Sequence, residues 1–202
     1  MYRPAHFTED CPETLHQAIR NIGLASLVTI GPDGIEANSV PMVIAPSPAP
    51  FGTLYGHVAR ANRQWTHGGS ALAIFQGPEA YVTPSWYPSK QEAGKAVPTW
   101  NYVTVHAHGP LEVIEEPERL RQILALLTDH FEAGRPEPWA ISDAPEDFVT
   151  AQMNSIVGFA LPIARLEGKW KLSQNRTPED RAGVLDGLRH DGKTAIVEAM
   201  TG

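Results

Sequence analysis

The spacing of apolar residues along this chain changes several times, and each change marks an element. Leu15, Ala18, Ile19 and Ile22 recur at three- and four-residue intervals, which places them on one face of an α-helix. Asp10 stands where it can cap that helix, with Glu13 three residues further on, and Gly23 is placed to end it. Residues 24–30 and 37–44 then predict two strands around Gly31-Pro32-Asp33-Gly34, a sequence with turn residues at the required positions. Residues 51–58 predict a third strand. The run 71–75 is apolar throughout and predicts a strand buried on both faces, and 80–83 resumes the sheet after Gly77-Pro78. From 101 to 108 the alternation is clean. Tyr102, Thr104, His106 and His108 point one way, and Val103, Val105 and Ala107 the other.

The period then returns to that of a helix. Leu120, Ile123, Leu124, Leu127 and Phe131 form a stripe, and Asp143 with Glu146 opens a shorter helix. Residues 156–166 and 168–172 predict a closing hairpin. Thr177-Pro178 starts a last helix, because threonine caps and proline suits the first helical position. Strands that follow one another directly pair antiparallel. The class expected is therefore α+β: an antiparallel β-barrel with flanking helices, its edge closed by the late strands. A single domain over 1–202 is expected, with the C-terminal helical segment 178–202 packed on it.

Composition narrows the function classes. The chain has 202 residues, 42% of them hydrophobic and 19% charged, as in a folded globular domain. No apolar run is long enough to span a membrane, the N-terminus lacks a signal-peptide pattern, and one cysteine, Cys11, cannot form an internal disulfide. A cytoplasmic location is expected. The formal net charge is −7 with no Lys/Arg cluster, which disfavours direct nucleic-acid binding, since such affinity comes largely from neutralising phosphates.

Several motifs invite a chemical reading. Gly187 to Thr194 satisfies a phosphate-loop pattern, but it lacks the strand before and the long helix after, so a terminal helix–turn–helix is expected. His106 and His108 share a strand face and could ligate a metal, but cysteine is absent nearby and the other histidines are scattered, so solvated or hydrogen-bonded strand histidines are expected and no metal site. Three clusters are richer. Tyr55-Gly56-His57-Val58-Ala59-Arg60-Ala61-Asn62 is a strand end with small residues and a guanidinium suited to a phosphate, or an ordinary strand–helix junction. Tyr81 to Tyr87 and Val97 to Tyr102 hold Trp86 and Trp100 in proline-stiffened segments, good walls for a planar heterocycle or cover for a core or dimer interface. The polar segment 88–96 between them reads as a mobile lid or as a solvent loop that merely decorates a dimer. Trp170 to Arg176 is either an exposed turn or a second anion and amide site.

These same clusters resemble the PaiB-type family of FMN-binding negative transcriptional regulators. The likeness rests on His57-Val58-Ala59-Arg60-Ala61-Asn62, Gly77 to Tyr87, Val97 to Tyr102 and Leu172-Ser173-Gln174-Asn175-Arg176, with Met1-Tyr2-Arg3-Pro4 and Phe7 at the start. Arg63 departs from the family, where proline is expected. The resemblance implies an FMN-binding split β-barrel related to pyridoxamine-phosphate oxidases, with FMN at a homodimer interface. It implies that Arg60 and the backbone around Asn62 hold the phosphate, with His57 beside it. Asn101 and Thr104 reach the ribityl chain or ring, and Ser39 faces the ring's polar edge. Gln174, Asn175 and Arg176 come from the partner chain. The function implied is a flavin-loaded regulator; the alternative is an oxidoreductase acting on a small-molecule redox partner without touching DNA. A haem-binding relative with His57 or His106 as ligand is a third reading.

Overall fold

The computed structural model describes residues 1–48 and 50–202, with the side chains of all of these except Gln91, Glu92 and Ala93. In chain order the strands and α-helices begin β1 (Thr8–Glu9), α1 (Pro12–Ile22), β2 (Leu24–Gly31), β3 (Gly34–Ala45), β4 (Thr53–Ala59), β5 (Ser70–Val82) and α2 (Pro88–Ala93). They continue with β6 (Thr99–Pro110), β7 (Glu112–Ile114), α3 (Pro117–Glu132), α4 (Glu146–Met153), β8 (Ile156–Pro162), β9 (Arg165–Lys171), α5 (Pro178–His190) and α6 (Thr194–Thr201). The protein is thus α+β with a large antiparallel sheet. Its residues fall into two compact units, a larger one of Pro12–Phe75 with His106–Leu166 and a smaller one of Met1–Cys11, Gln76–Val105 and Glu167–Gly202.

In the larger unit the strand order is β5-β2-β3-β4-β8-β7. Helix α1 turns Leu15, His16 and Ile19 inward and stops at Gly23, whose φ of +68° is the left-handed conformation glycine adopts without strain. Asp10 does not cap it. The helix begins at Pro12, and the Asp10 carboxylate accepts from Arg3 instead. The β2–β3 hairpin forms where the turn sequence predicts it, with Leu24 opposite Pro41 and Gly31 opposite Gly34. Strand β3 pairs next with β4, Met42 facing Gly56, and β4 with β8, His57 facing Gly158. Helix α3 lays Ile123 and Leu127 against Val43, Ile114 and Ala160. Its N-terminus is capped by Glu116, which accepts from the Glu118 and Arg119 amides; those bonds hold its carboxyl below the usual carboxylate range. Arg121 grips Glu146 through both nitrogens at 2.8 and 3.0 Å, linking α3 to α4.

In the smaller unit the order is β1-β9-β6-β5, and the core gathers Val82, Tyr87, Val103, Leu172, Val184, Leu188 and Ile196. Thr177 caps α5 by accepting from the Asp180 amide, as the sequence predicts. Gly187, on α5, lies directly beneath Trp86: a Cβ there would sit 2.2 Å from the indole.

Three expectations are corrected. The strands expected at 71–75 and 80–83 are one strand, β5, because Gly77 lets the Gly-Pro step lie flat against Val103. The expected closing hairpin is not one: β8 pairs with β4 and β7, whereas β9 lies between β1 and β6. Among the described residues the strands of neither unit close into a ring, so the expected barrel is not closed. The segment read as a lid or a solvent loop folds in part as α2, tied to α5 by Ser89, whose amide and hydroxyl donate to Asp180 at 3.1 and 2.8 Å; the side chains of residues 91–93 lie outside those described. The phosphate-loop pattern is the α5–α6 turn.

The tight β3–β4–β8 packing makes a direct prediction. A Cβ on Gly56 would lie 2.6 Å from the buried Phe159 ring and 3.0 Å from the Pro41 carbonyl. Gly56→Ala should therefore lower stability by about 1–3 kcal/mol, the usual cost of overpacking a rigid site, read by chemical denaturation. A variant as stable as the parent would show that the two strands can move apart freely.

Candidate functional site

Strand β4 ends in a run of small residues, and that run opens a cleft of about 350 Å³ on the larger unit. Its lining includes Ser39, Pro41, His57, Ala59, Asn62 and Ile156. The pairing of β4 with β8 sets His57 opposite Gly158, and His57 shares the lining of the cleft with Pro41. The Nδ1 atom of His57 is enclosed and has no hydrogen-bond partner among the described residues. Burial holds the imidazole below the usual histidine range, because the charged form is poorly solvated there. At neutral pH it is an uncharged ring.

Asn62 is positioned by a turn. Its Oδ1 accepts from the Gln64 amide at 2.9 Å and starts the short 3-10 helix Arg63–Thr66. Gln64 is fully buried and anchors that turn to the sheet: its Nε2 donates to the Leu27 carbonyl at 2.7 Å, and its Oε1 accepts from Asn38 at 3.1 Å. Asn38 donates also to Glu36 at 2.9 Å. The Nδ2 of Asn62 and the exposed hydroxyl of Ser39 remain without partners among the described residues, and both belong to the cleft. Ser39, His57 and Asn62 thus line one cleft; His57 and Asn62 come from a single sequence cluster, and Ser39 from the family resemblance alone. Gln64 escaped the sequence reading; the run Asn62-Arg63-Gln64-Trp65 gives no sign that the glutamine turns inward.

Arg60 is placed differently. Its Nε donates to Asn154 O and its Nη2 to Ile156 O, both at 3.1 Å, and its Nη1 to Glu115 at 2.7 Å. The guanidinium is committed to holding the end of α4 and the start of β8, and it does not line the cleft.

The remaining candidates lie in the smaller unit. Trp86 packs on α5 as part of the core. Trp100 is exposed and meets Tyr81 edge-on at 5.9 Å. Asn101 is buried, exchanging hydrogen bonds with the Ser173 hydroxyl and reaching Met200. Thr104 is buried on β6. Gln174 folds back on its own turn, accepting from the Leu172 amide and donating to Trp170 O, and Asn175 is exposed. Arg176 stacks over the Tyr87 ring at 4.7 Å; burial pushes that phenol up, with the guanidinium opposing. Two cations here were not singled out in the sequence. Lys171 donates to Thr99 and to Trp100 O, and burial, with Lys169 and Arg176 nearby, draws it below the usual lysine range. The Lys169 ammonium lies 5.5 and 5.3 Å from the Tyr2 and Tyr102 rings.

Comparison with known proteins agrees with the sequence motifs. Residues 1–165 match the family described as "Putative FMN-binding domain", and the chain belongs to that family. The family makes it a flavoprotein that binds FMN. Among its relatives, protease synthase and sporulation protein PAI 2 of Bacillus subtilis is 28% identical over 194 residues, covering 95% of this chain and 90% of that protein. An uncharacterised protein of Aspergillus fumigatus is 32% identical over 240 residues, covering 95% and 92%. Of solved structures, the FAD and haem binding protein from Mycobacterium smegmatis superposes with a TM-score of 0.61 at 19% identity, covering 87% of this chain and 78% of that one, a likeness of fold.

The residues of the cleft fit the uncharged portion of such a cofactor. They offer an orphaned imidazole nitrogen, a free hydroxyl and a free carboxamide N–H, which are neutral groups that suit a ring edge or a polyol. With Arg60 committed elsewhere, no side-chain cation lines the cleft to meet a phosphate.

The neutral state of His57 links folding to pH. A histidine with a depressed folded-state pKa binds fewer protons when native than when unfolded. Its contribution is present above the unfolded value and is lost as pH falls below it. Between pH 7 and pH 5 the parent should therefore lose more stability than His57→Gln, read by chemical denaturation at the two pH values. Parallel pH profiles for the two would mean that His57 is solvated like a surface histidine.

Proposed function

We propose that FMN occupies the β3–β4 cleft, with Ser39, His57 and Asn62 bonding its uncharged part. The observation that carries this reading is the enclosed, partnerless Nδ1 of His57 beside two free polar side chains in one cleft. When bound, FMN supplies one- and two-electron redox chemistry; the protein supplies binding and orientation. His57, being neutral, adds no charge near the ring. The turn pinned by Gln64 fixes Asn62, so its carboxamide is held ready for the ligand. The phosphate is then met by the backbone amides around Ala59–Asn62 or by a second subunit, for which Asn175 and Arg176 are the residues the family likeness proposes.

An open, unclosed split barrel is the reading supported inside the larger unit. The Ala164 amide donates to His108 O at 2.8 Å, and Gly109 leaves room for the Pro162 carbonyl, so the turn after β8 returns to the end of β6. A homodimer is supported by an outward face of β2 and β3. Leu24, Ser26, Ile30, Ile35, Ala37 and Ser39 are exposed on it, none of them charged, and the face runs into the cleft through Ser39. A self-complementary two-fold contact would use the same patch twice and cover the cleft.

We read the protein as a flavin-loaded regulator that acts through another protein rather than through DNA. The net charge of −7 supports that choice, and an electrophoretic shift steep in salt would contradict it. Among the described residues no helix is long and apolar enough to cross a membrane, and with the lone cysteine this supports the cytoplasm as its place.

Two results test the site. Asn62→Ala should weaken FMN binding about tenfold, near 1.4 kcal/mol, while the parent prefers FMN to riboflavin in fluorescence titration. Unchanged affinity in the variant would move the cofactor elsewhere. Ala37→Arg should convert a dimer to a monomer by light scattering, because it puts an unpaired charge in the proposed contact; a persisting dimer would assign the interface to another face.

A further inference from the structure

His57 is also the wall of a second cleft, on the α3 side of the sheet in the same larger unit. This one has a volume of about 240 Å³ and is lined by His57, Leu127, Thr128, Phe131, Glu132 and Trp139, with Pro41 at the shared edge. We propose that it is a binding site for a neutral, flat aromatic compound bearing one hydroxyl or N–H group, and that His57 stands between this ligand and the flavin cleft. The proposal deepens the FMN reading by naming the class of small molecule placed next to the cofactor, but every residue of the site is read independently of FMN.

The walls indicate an aromatic occupant. Phe131 is 44% and Trp139 47% exposed, although both line one cleft with the buried Leu127 at its base. Two half-exposed rings flanking an apolar floor offer a stacking surface that water covers poorly. The rings are also held in place. Phe131 fills the space where a Cβ on Gly23 would fall, 2.6 Å away, so the glycine that ends α1 also admits this ring. Its neighbour His130 packs edge-on against it at 4.8 Å and bonds Arg20 O at 3.1 Å. Trp139 is fixed through its backbone, whose amide donates to Glu132 at 3.2 Å.

The charges indicate a neutral occupant. Glu132 is the charged residue of the lining, and its carboxylate already accepts from Arg135 at 3.0 Å and from the Trp139 amide. No lysine or arginine lines the cleft to receive an anion. What remains is a pair of neutral hydrogen-bonding groups: the Thr128 hydroxyl, without a partner among the described residues, and the His57 imidazole. A few placed polar groups in an apolar cleft set orientation and selectivity.

Calorimetric titration with 1-naphthol, naphthalene and 1-naphthoate tests this, on the protein with and without FMN. The expected result is saturable one-to-one binding of 1-naphthol, with naphthalene and 1-naphthoate each about tenfold weaker. Trp139→Ala and Thr128→Val should each weaken 1-naphthol about five- to tenfold and leave FMN affinity unchanged. Asn62→Ala should do the reverse. Failure of 1-naphthol to saturate, equal binding by Trp139→Ala, or tight binding of 1-naphthoate would each overturn the proposal. A protein that takes 1-naphthol but not FMN would overturn the cofactor assignment and leave this site standing.

Discussion

Strand β3 pairs along its first half with β2 and along its second with β4, and side chains alternate faces along it. The register that buries Val40, Met42 and Ile44 therefore forces Ile35, Ala37, Ser39 and Pro41 to the opposite face. Pro41, next along the strand, shares the lining of the cleft with His57. A slip of one residue would send the whole apolar set outward, so the core and the cleft are specified by one constraint. Gly56 and Gly158 complete it, since each gives up a side chain where Phe159 and Leu120, respectively, press closest.

The polar groups near this strand divide into those that hold the structure and those left for a ligand. Arg60 and Gln64 belong to the first kind. Arg60 satisfies two carbonyls at the α4–β8 junction, where a helix end leaves acceptors unmet, and Gln64 ties the 63–66 turn to β2 and β3. Because these are satisfied, the groups left over are few. Ser39, His57 and Asn62 in the first cleft, and Thr128 in the second, make up a neutral set of hydrogen-bonding groups. Both clefts therefore select for uncharged, hydrogen-bonding surface, and the charge of a flavin phosphate has to be answered outside them.

How far this was legible in the sequence depended on the range of the interactions. Thr177-Pro178 as a helix start, Gly23 as a helix stop and Gly31-Pro32-Asp33-Gly34 as a hairpin turn are decided within a few residues, and each forms as read. The fate of β8 and β9 is not decided locally, because either strand could pair with its neighbour in sequence, and the choice of β4 for one and β1 with β6 for the other rests on distant partners. The same holds for the site. His57 and Asn62 stand in a motif that marks them, whereas Ser39 does not and joins them only through the β3–β4 pairing. The role of Arg60 is set by Asn154, Ile156 and Glu115, which lie 94, 96 and 55 residues away, so a guanidinium in a phosphate-like motif could be read only by its type. The second cleft was invisible for the same reason: Phe131 reads as one more residue of the α3 stripe until Gly23 is seen to receive it.

The central claim is that FMN lies against the neutral imidazole of His57. It is tested most directly by long-range nitrogen–proton NMR of the histidine rings during FMN titration, with the His57 signals assigned by their loss in His57→Gln. The account predicts that the His57 nitrogens carry the signature of a neutral ring at pH 7 and shift saturably at one FMN per chain. The other histidines of larger-unit helices, His16 and His130, should stay still, since their rings bond Phe51 O and Arg20 O away from the cleft. A protonated His57, or one whose signals are unmoved while FMN binds stoichiometrically, would contradict it.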